Sequence, residues 1–189
     1  MAVLDQDFYK RDTETVAKEL LGKILVRRLD DELLGGVIVE TEAYFGADDP
    51  ASRAFHGKKQ YNSVMFGDVG YVFIYNVHQY WMLNFIAYDT GVGGILIRAI
   101  EPTMGLETML SNRPVKKLTD LTNGPGKLTL ALGVNKTVNG MRVTDESCII
   151  HILENDFDYE LGTSHRIGVT KDLQEHFRFY VKGNKYVSK

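Results

Sequence analysis

The chain has 189 residues, of which 44% are hydrophobic and 25% are charged, a balance that fits one folded domain over residues 1–189. Its single cysteine, Cys148, excludes a disulfide framework and a cysteine-rich zinc motif. No apolar run approaches the roughly 20 residues that would span a bilayer, and the first residues lack a basic segment followed by an apolar one. We therefore expect a cytoplasmic protein with no membrane contact.

The first half of the chain predicts one helix followed by strands. Apolar residues share one face over residues 13–21, which predicts a helix that is capped by Asp12 or Thr13 and ends at Gly22. Residues 47–68 are polar and contain glycine, which predicts a long loop. Strands are predicted over residues 24–26, 37–44, 71–87 (one bent strand or two) and 95–100.

The second half predicts two further helices and three strands. One short helix is predicted over residues 106–110, and another opens at Asn123-Gly124-Pro125 and ends at Gly133. Strands are predicted over residues 148–153, 166–169 and 177–181. Many strands with few intervening helices favour an α+β fold with antiparallel pairing over a doubly wound parallel sheet.

The net charge of −3 argues weakly against nucleic acid as a partner, because proteins that bind phosphate backbones are usually basic. Local patches matter more than the total. A basic face could be built from Arg113, Lys116, Lys117, Lys127, Lys136, Arg166 and Arg178. The alternative is a mixed, solvated surface, and charge alone favours that alternative.

The predicted strand over residues 37–44 carries the most chemical information. Side chains alternate between the two faces of a strand, so Glu40, Glu42 and Tyr44 would share one side. Two carboxylates in an apolar strand need a reason, because a buried charge without partners is costly. They indicate either a solvated polar face with salt bridges or a site that holds an acid or base beside an aromatic ring.

Three further features could belong to a binding site. Residues 71–84 are dense in aromatic side chains, which is typical of a core. They also offer the polar groups that a pocket for a flat heterocycle needs, on Tyr75, His78, Tyr80 and Asn84. Arg98 follows three apolar residues and could bind a phosphate or a carboxylate. The Gly-Pro-Gly-Lys turn opens a helix where backbone N–H groups and Lys127 could hold an anion, although it is not a Walker loop.

Several spaced segments together resemble the alkyladenine (3-methyladenine) DNA glycosylase family of bacterial type. They occur in family order over nearly the whole chain. The similar segments are Leu20-Leu21-Gly22, Val39-Glu40-Thr41-Glu42-Ala43-Tyr44, Asn62 to Phe66, Ile97-Arg98-Ala99-Ile100-Glu101-Pro102, Asn123-Gly124-Pro125-Gly126-Lys127-Leu128, and Arg178-Phe179-Tyr180 with Asn184 and Tyr186-Val187-Ser188.

The resemblance implies a single α+β domain with a curved, largely antiparallel sheet flanked by a few helices, and neither metal nor cofactor. It also implies roles for residues. Glu42 would be the general base that activates water, and Arg98 would lie near that water and the DNA backbone. Tyr44 and Tyr75 would stack on the two faces of a flipped base, and Asn84 would crowd the 2-position of the purine.

The chain departs from the family pattern at two places. The family usually has a histidine nine residues after the stacking tyrosine, where this chain has Arg53; His56 could substitute for it. The residue that wedges into the gap left by the flipped base is commonly a tyrosine followed by glycine, where this chain offers Val77-His78. We take His78 as the wedge and assign Lys127 to the DNA backbone.

The function implied by the resemblance is base-excision repair of DNA. A monomer would flip an alkylated or deaminated purine out of double-stranded DNA and hydrolyse its N-glycosidic bond, without a strand-cleaving lyase step. It would be a cytoplasmic bacterial protein that associates with the nucleoid when bound to DNA.

Two other functions remain open from the residues. One is a carbohydrate glycoside hydrolase, because Cα atoms two apart in a strand lie roughly 6.5–7 Å from each other, a spacing that overlaps the carboxyl separation of inverting enzymes. The other is a non-catalytic module that binds nucleic acid through basic and aromatic side chains, which would have no need of Glu42.

Overall fold

Eight β-strands form the framework, and the computed structural model describes them with the rest of residues 1–189. All pair antiparallel in one sheet, with β3-β4-β5-β2-β1-β6 in order, β8 against β2 and β7 against β8. The strands are β1 (Ile24–Leu29), β2 (Glu32–Tyr44), β3 (Val72–Val77), β4 (Tyr80–Ile86), β5 (Gly94–Met104), β6 (Ile150–Leu153), β7 (Leu161–Ser164) and β8 (Arg178–Val181). This confirms the predicted fold class, with the sheet curled into a half-barrel.

Strand β2 organises the sheet because it pairs with three neighbours. On one edge, Glu32–Val37 pairs with β1 and Glu40–Glu42 pairs with β8, while β5 lies along the other edge. The register with β5 shifts on both sides of Glu40. Such irregularities bend a strand and increase its twist, and here they occur where β2 changes partner from β1 to β8.

Four short α-helices flank the sheet, and none has the length and apolar character needed to cross a membrane. They are α1 (Gln6–Tyr9), α2 (Thr13–Glu19), α3 (Leu106–Asn112) and α4 (Pro125–Ala131), with 3-10 turns at Ser63–Phe66, Leu118–Asp120 and Lys136–Val138. The predicted cap of α2 is Asp12, whose side chain accepts from the Thr15 amide at 2.8 Å. Pro125 opens α4 as predicted, because its ring fits the first turn of a helix.

The hydrophobic core has one main part and one small part. The main cluster joins α2, the sheet and α4 and includes Cys148. The small cluster consists of Ala54, Met65, Phe73 and Ile86, and it fastens the long loop after β2 against β3 and β4. The loop is therefore packed in place at its middle, beside the second half of β2.

One predicted strand is wrong. Residues 166–169 form an irregular segment, because the Ile167 amide donates to the Glu42 carboxylate and Arg166 turns inward to Asp49. The strand in this region is β7, which the sequence pattern did not reveal. β7 contains Gly162, where a Cβ would lie 2.3 Å from the Tyr180 ring, so the close approach of that ring requires a glycine. Glycine is uncommon in strands, and this residue therefore weakened the prediction of a strand from the sequence.

Candidate active site

Glu42 is the central group of the candidate site and has no exposed surface. Its Oε2 accepts from the Tyr44 hydroxyl at 2.7 Å and from Arg98 Nη1 at 3.2 Å. Its Oε1 accepts from the Ile167 amide at 2.7 Å. Burying a carboxylate is costly unless donors replace the lost water, and three donors do so here.

The environment of Glu42 perturbs its proton affinity. Burial raises the pKa of Glu42 above the ordinary range of a glutamate, while Arg98, the Ile167 amide and the Tyr44 hydroxyl oppose that rise. Burial also raises the pKa of Tyr44, with the nearby Glu42 carboxylate as a further cause. Tyr44 therefore stays protonated and donates to Glu42.

Arg98 connects Glu42 to a second buried carboxylate. Arg98 Nε donates to Glu40 Oε1 at 2.8 Å while its Nη1 reaches Glu42. Burial disfavours the Arg98 cation, but Glu42 and Glu40 outweigh that effect and raise the pKa of Arg98. Glu40 also accepts from Arg178 Nε and from the Ser188 amide and hydroxyl, each at 2.7 Å. Glu40 therefore positions Arg98 and has no free face for a substrate.

A cavity of about 510 Å³ lies directly above this buried group. Glu42 does not itself line the cavity, but its three donors, from Tyr44, Arg98 and Ile167, all do. The lining residues are Tyr44, Pro50, Ala51, Arg53, Tyr75, Val77, Met82, Leu96, Arg98, Pro125, Ile167, Gly168, Val169, Thr170 and Lys171. They include three cations and no carboxylate, so the cavity is locally basic although the whole chain has a net charge of −3.

The Tyr44 wall is fixed at its hydroxyl and on one ring face. The Arg166 guanidinium lies 4.5 Å from the Tyr44 ring centroid. Arg166 is itself buried, donates to both Asp49 oxygens at 2.7 Å and to Asp172 Oδ1 at 2.8 Å, and also reaches the Ala43 carbonyl at 3.0 Å. A ring held in this way can stack on a ligand without losing much rotational freedom.

The Tyr75 wall stands on β3 and is backed by Phe73, whose ring centroid lies 5.4 Å away. Burial raises the pKa of Tyr75, and the Arg53 cation opposes the rise. Asn84 lies with Tyr44, Tyr75 and Arg53 around a narrow extension of the cavity. The Asn84 amide nitrogen donates to the carbonyls of Phe73 at 3.2 Å and Met82 at 3.1 Å, which fixes this side chain against the base of the extension.

The structure does not bring every predicted residue to the cavity. His56 is exposed and packs against the Phe55 ring, 4.8 Å between centroids, and it is not among the lining residues. Lys127 lies in a neighbouring depression with Tyr80 and Arg113, and its amine donates to Asn123 at 2.7 Å. The assigned roles of His56 and Lys127 remain predictions.

The β3–β4 hairpin places the predicted wedge at an exposed tip. Val77 pairs with Tyr80, so His78 and Gln79 form the two-residue turn. His78 has φ 55, the left-handed conformation that such turns require. Val77 lines the cavity. The next residue, the exposed His78, therefore lies close to the cavity. The structure thus combines a cavity and a protruding tip.

Two features of the site have no counterpart in the sequence predictions. One is the irregular segment 167–171, which supplies the Ile167 amide and Lys171 to the cavity. The other is the anchoring of Glu40 by Ser188, 148 residues away along the chain. A backbone amide carries no residue-type signal, whereas the segments around Arg178 and Ser188 were among those that carried the family resemblance.

Aromatic walls above a carboxylate–arginine pair, with cations and no acids in the lining, are suited to a flat heterocycle that carries negatively charged groups. Comparison with known proteins gives the family. Residues 7–185 match the family described as methylpurine-DNA glycosylase. The chain belongs to this family of DNA glycosylases, repair enzymes that hydrolyse N-glycosidic bonds.

Individual relatives agree with the family over their full lengths. A Clostridium perfringens (strain 13 / Type A) protein provisionally named 3-methyladenine DNA glycosylase is 43% identical over 205 residues, covering 98% of each chain. Relatives with the same provisional name occur in Chlorobium phaeobacteroides, 38% identical with 100% of this chain and 98% of the relative covered, and in Methanoculleus marisnigri, 38% identical with 96% of each covered.

The buried network predicts a large stability effect at Glu40. Glu40→Gln removes the charge that offsets Arg98 and Arg178, and breaking a buried pair costs about 3–5 kcal/mol. As a matched control, Glu160→Gln removes a glutamate that pairs with Lys182 at the surface and should change the free energy of unfolding little, because solvent screens exposed ion pairs. Urea unfolding measures both changes. Equal losses in the two variants would contradict the assigned role of Glu40.

Proposed function

We propose that the protein excises an alkylated or deaminated purine from double-stranded DNA, as a monomer, by hydrolysing the N-glycosidic bond with a water molecule that Glu42 activates. The observation that carries the proposal is the buried Glu42–Arg98 pair beneath a cavity walled by Tyr44 and Tyr75. Membership of the methylpurine-DNA glycosylase family supports the same reaction.

The target base must leave the helix before it can enter this cavity. A base inside a duplex hides its glycosidic bond, and extruding it costs a few kcal/mol, least where the base is damaged or mispaired. We assign the exposed His78 tip to the gap that the base leaves, with Val77 at its side, because Val77 lines the cavity and His78 follows it in the hairpin turn. The exposed cation Lys171 at the cavity is suited to a flanking phosphate.

The reaction then needs a nucleophile, a proton acceptor and negative charge near the sugar. An alkylated purine that carries a positive charge is already a good leaving group, so the sugar becomes oxocarbenium-like as the bond breaks. The Glu42 carboxylate supplies both the proton acceptor and the negative charge. Tyr44 and Tyr75 hold the base between them, which fixes the sugar carbon relative to the water.

Water must reach Glu42, whose carboxylate is fully covered in this structure. Two of its three donors, Tyr44 and Arg98, stand on strands, whereas the third, the Ile167 amide, belongs to an irregular segment. Oε1 accepts only this one donor, so it retains room for another. We therefore assign the water to the Oε1 side, with movement of the segment around Ile167 opening its path.

The structure counts against both rival functions. A carbohydrate hydrolase needs two carboxylates that flank the scissile bond, but Glu40 is engaged by Arg98, Arg178 and Ser188. A non-catalytic binding module would not require a buried carboxylate with a raised pKa beneath its cavity, whereas groups with perturbed pKa values cluster at catalytic sites.

The direct test is Glu42→Gln, which removes the proton acceptor but keeps the shape of the side chain. Excision of the damaged purine should fall by at least about 10²–10⁴-fold, while binding to lesion-containing duplex is retained. Single-turnover release of free purine and a mobility-shift titration measure the two properties. Glu160→Gln is the matched control, and near-normal excision by Glu42→Gln would remove Glu42 from its assigned role.

The pH dependence of excision should report Glu42. Because Glu42 must be ionised, the rate falls as pH drops through its pKa, and burial places that acidic limb above the ordinary range of a glutamate. Tyr44→Phe removes a donor that stabilises the anion, so the pKa of Glu42 rises further and the limb moves to higher pH. Tyr75→Phe keeps every Glu42 donor and should leave the limb in place. Identical limbs in wild type and Tyr44→Phe would show that another group titrates.

The proposal includes hydrolysis alone, without strand cleavage. Lys171 is the one lysine among the lining residues and is exposed, whereas the group beneath the cavity is a carboxylate. Borohydride added during the reaction should therefore trap no covalent enzyme–DNA adduct, and product DNA should keep an intact abasic strand. An adduct that disappears in Lys171→Ala would instead establish an amine nucleophile.

A further inference from the structure

A cation lies over the Tyr75 ring. Arg53 Cζ lies 4.6 Å from the centroid of the Tyr75 ring, and both residues line the cavity. A guanidinium is flat and stacks on aromatic faces, so Arg53 occupies the surface on which a purine would stack. A base that binds against Tyr75 has to displace this side chain.

The backbone at Arg53 is firmly held although its side chain is exposed. The fully buried Asn62 donates to the carbonyl of Arg53 at 2.7 Å and to that of Gly57 at 3.1 Å, and it accepts from the Lys59 amide at 2.6 Å. The side chain of Arg53 can therefore leave the Tyr75 ring without any change in the loop. Its guanidinium remains tethered within reach of the cavity.

The charge of Arg53 is not offset inside the cavity. Arg98 is neutralised from behind by Glu40 and Glu42, but no carboxylate lines the cavity beside Arg53. A cationic ligand there meets an uncompensated positive charge, and such repulsion strengthens as water is excluded. A neutral ligand with hydrogen-bond acceptors can instead accept two hydrogen bonds from the Arg53 guanidinium.

We propose that Arg53 sets the lesion preference of this cavity. Its guanidinium moves from the Tyr75 face to the edge of the bound base and selects neutral purines with acceptors at O6 and N7 over cationic N7-alkylated purines. This inference rests on the proposed function. An arginine fork matches the O6 and N7 pair of a purine, and alkylation at N7 both removes one acceptor and adds a positive charge.

Deaminated adenine fits this requirement. Hypoxanthine is neutral and carries both acceptors, and opposite thymine it is mispaired, which lowers the cost of extruding it. Undamaged guanine presents the same two acceptors but is fully paired with cytosine, so its extrusion costs more. Selection by Arg53 therefore acts together with the weakness of the lesion's own base pair.

The test compares two duplexes of one sequence, with hypoxanthine opposite thymine and 7-methylguanine opposite cytosine. Single-turnover excision is measured for wild type, Arg53→Gln and Arg53→Lys, after subtraction of uncatalysed release. Arg53→Gln should lower the ratio of hypoxanthine to 7-methylguanine excision by at least about tenfold, the scale of one bidentate contact. Arg53→Lys loses the fork but keeps the charge, so it should slow hypoxanthine excision without speeding release of 7-methylguanine.

The control is Lys58→Gln, which removes one exposed positive charge from the same loop at a residue outside the cavity lining and should leave the ratio unchanged. If wild type releases both bases and the ratio stays the same in Arg53→Gln, this inference fails and the proposed function stands. If Arg53→Gln does not fold, an equal loss on both duplexes in Arg53→Lys overturns the inference. If wild type releases neither base nor any other damaged purine, the proposed function itself fails.

Discussion

The structure depends on holding ionised groups where water cannot reach them. Glu42, Arg98, Glu40 and Arg178 alternate in sign through one buried network that ties β2 to β5 and β8, and Ser188 closes it. The desolvation of such groups is costly, and only good geometry and additional hydrogen bonds offset it. In the proposed reaction, the direction of the Glu42 carboxylate is therefore fixed before a substrate arrives, and preorganised charge of this kind is the main source of electrostatic catalysis.

Buried or nearby cations also lie over the two aromatic walls of the cavity, and they affect how strongly these rings attract a charged base. An electron-rich ring attracts a cationic base through its face. Here the Tyr44 ring has Arg166 at 4.5 Å and the Tyr75 ring has Arg53 at 4.6 Å. Each ring therefore already interacts with a protein cation, which leaves less attraction for a charged base. Under the proposed function, shape and hydrogen bonding at the edge of the base then contribute more of the selectivity for the lesion.

The alternation of side chains along β2 was enough to predict that Glu40, Glu42 and Tyr44 share one face, and the contacts of all three agree with it. The Ile167 amide could not be predicted, since a backbone donor is independent of residue type. The apolar pattern of residues 166–169 even favoured a strand there. That segment leaves the sheet because Arg166 is drawn to Asp49 and Asp172, which lie 117 and 6 residues away along the chain.

Net charge was the least informative property, because it averages over surfaces that do different things. The chain carries −3 overall, yet the cavity lining has three cations without a carboxylate, and Arg113 and Lys127 occupy the adjoining depression. Acidic side chains collect elsewhere, as in the depression lined by Glu19, Asp156 and Asp158. Counterion release makes affinity for any DNA grow with the number of phosphates that are neutralised. The chain has 22 lysine and arginine residues, so its affinity for DNA depends on how many of them lie on the surface that faces the phosphates and not on the net charge.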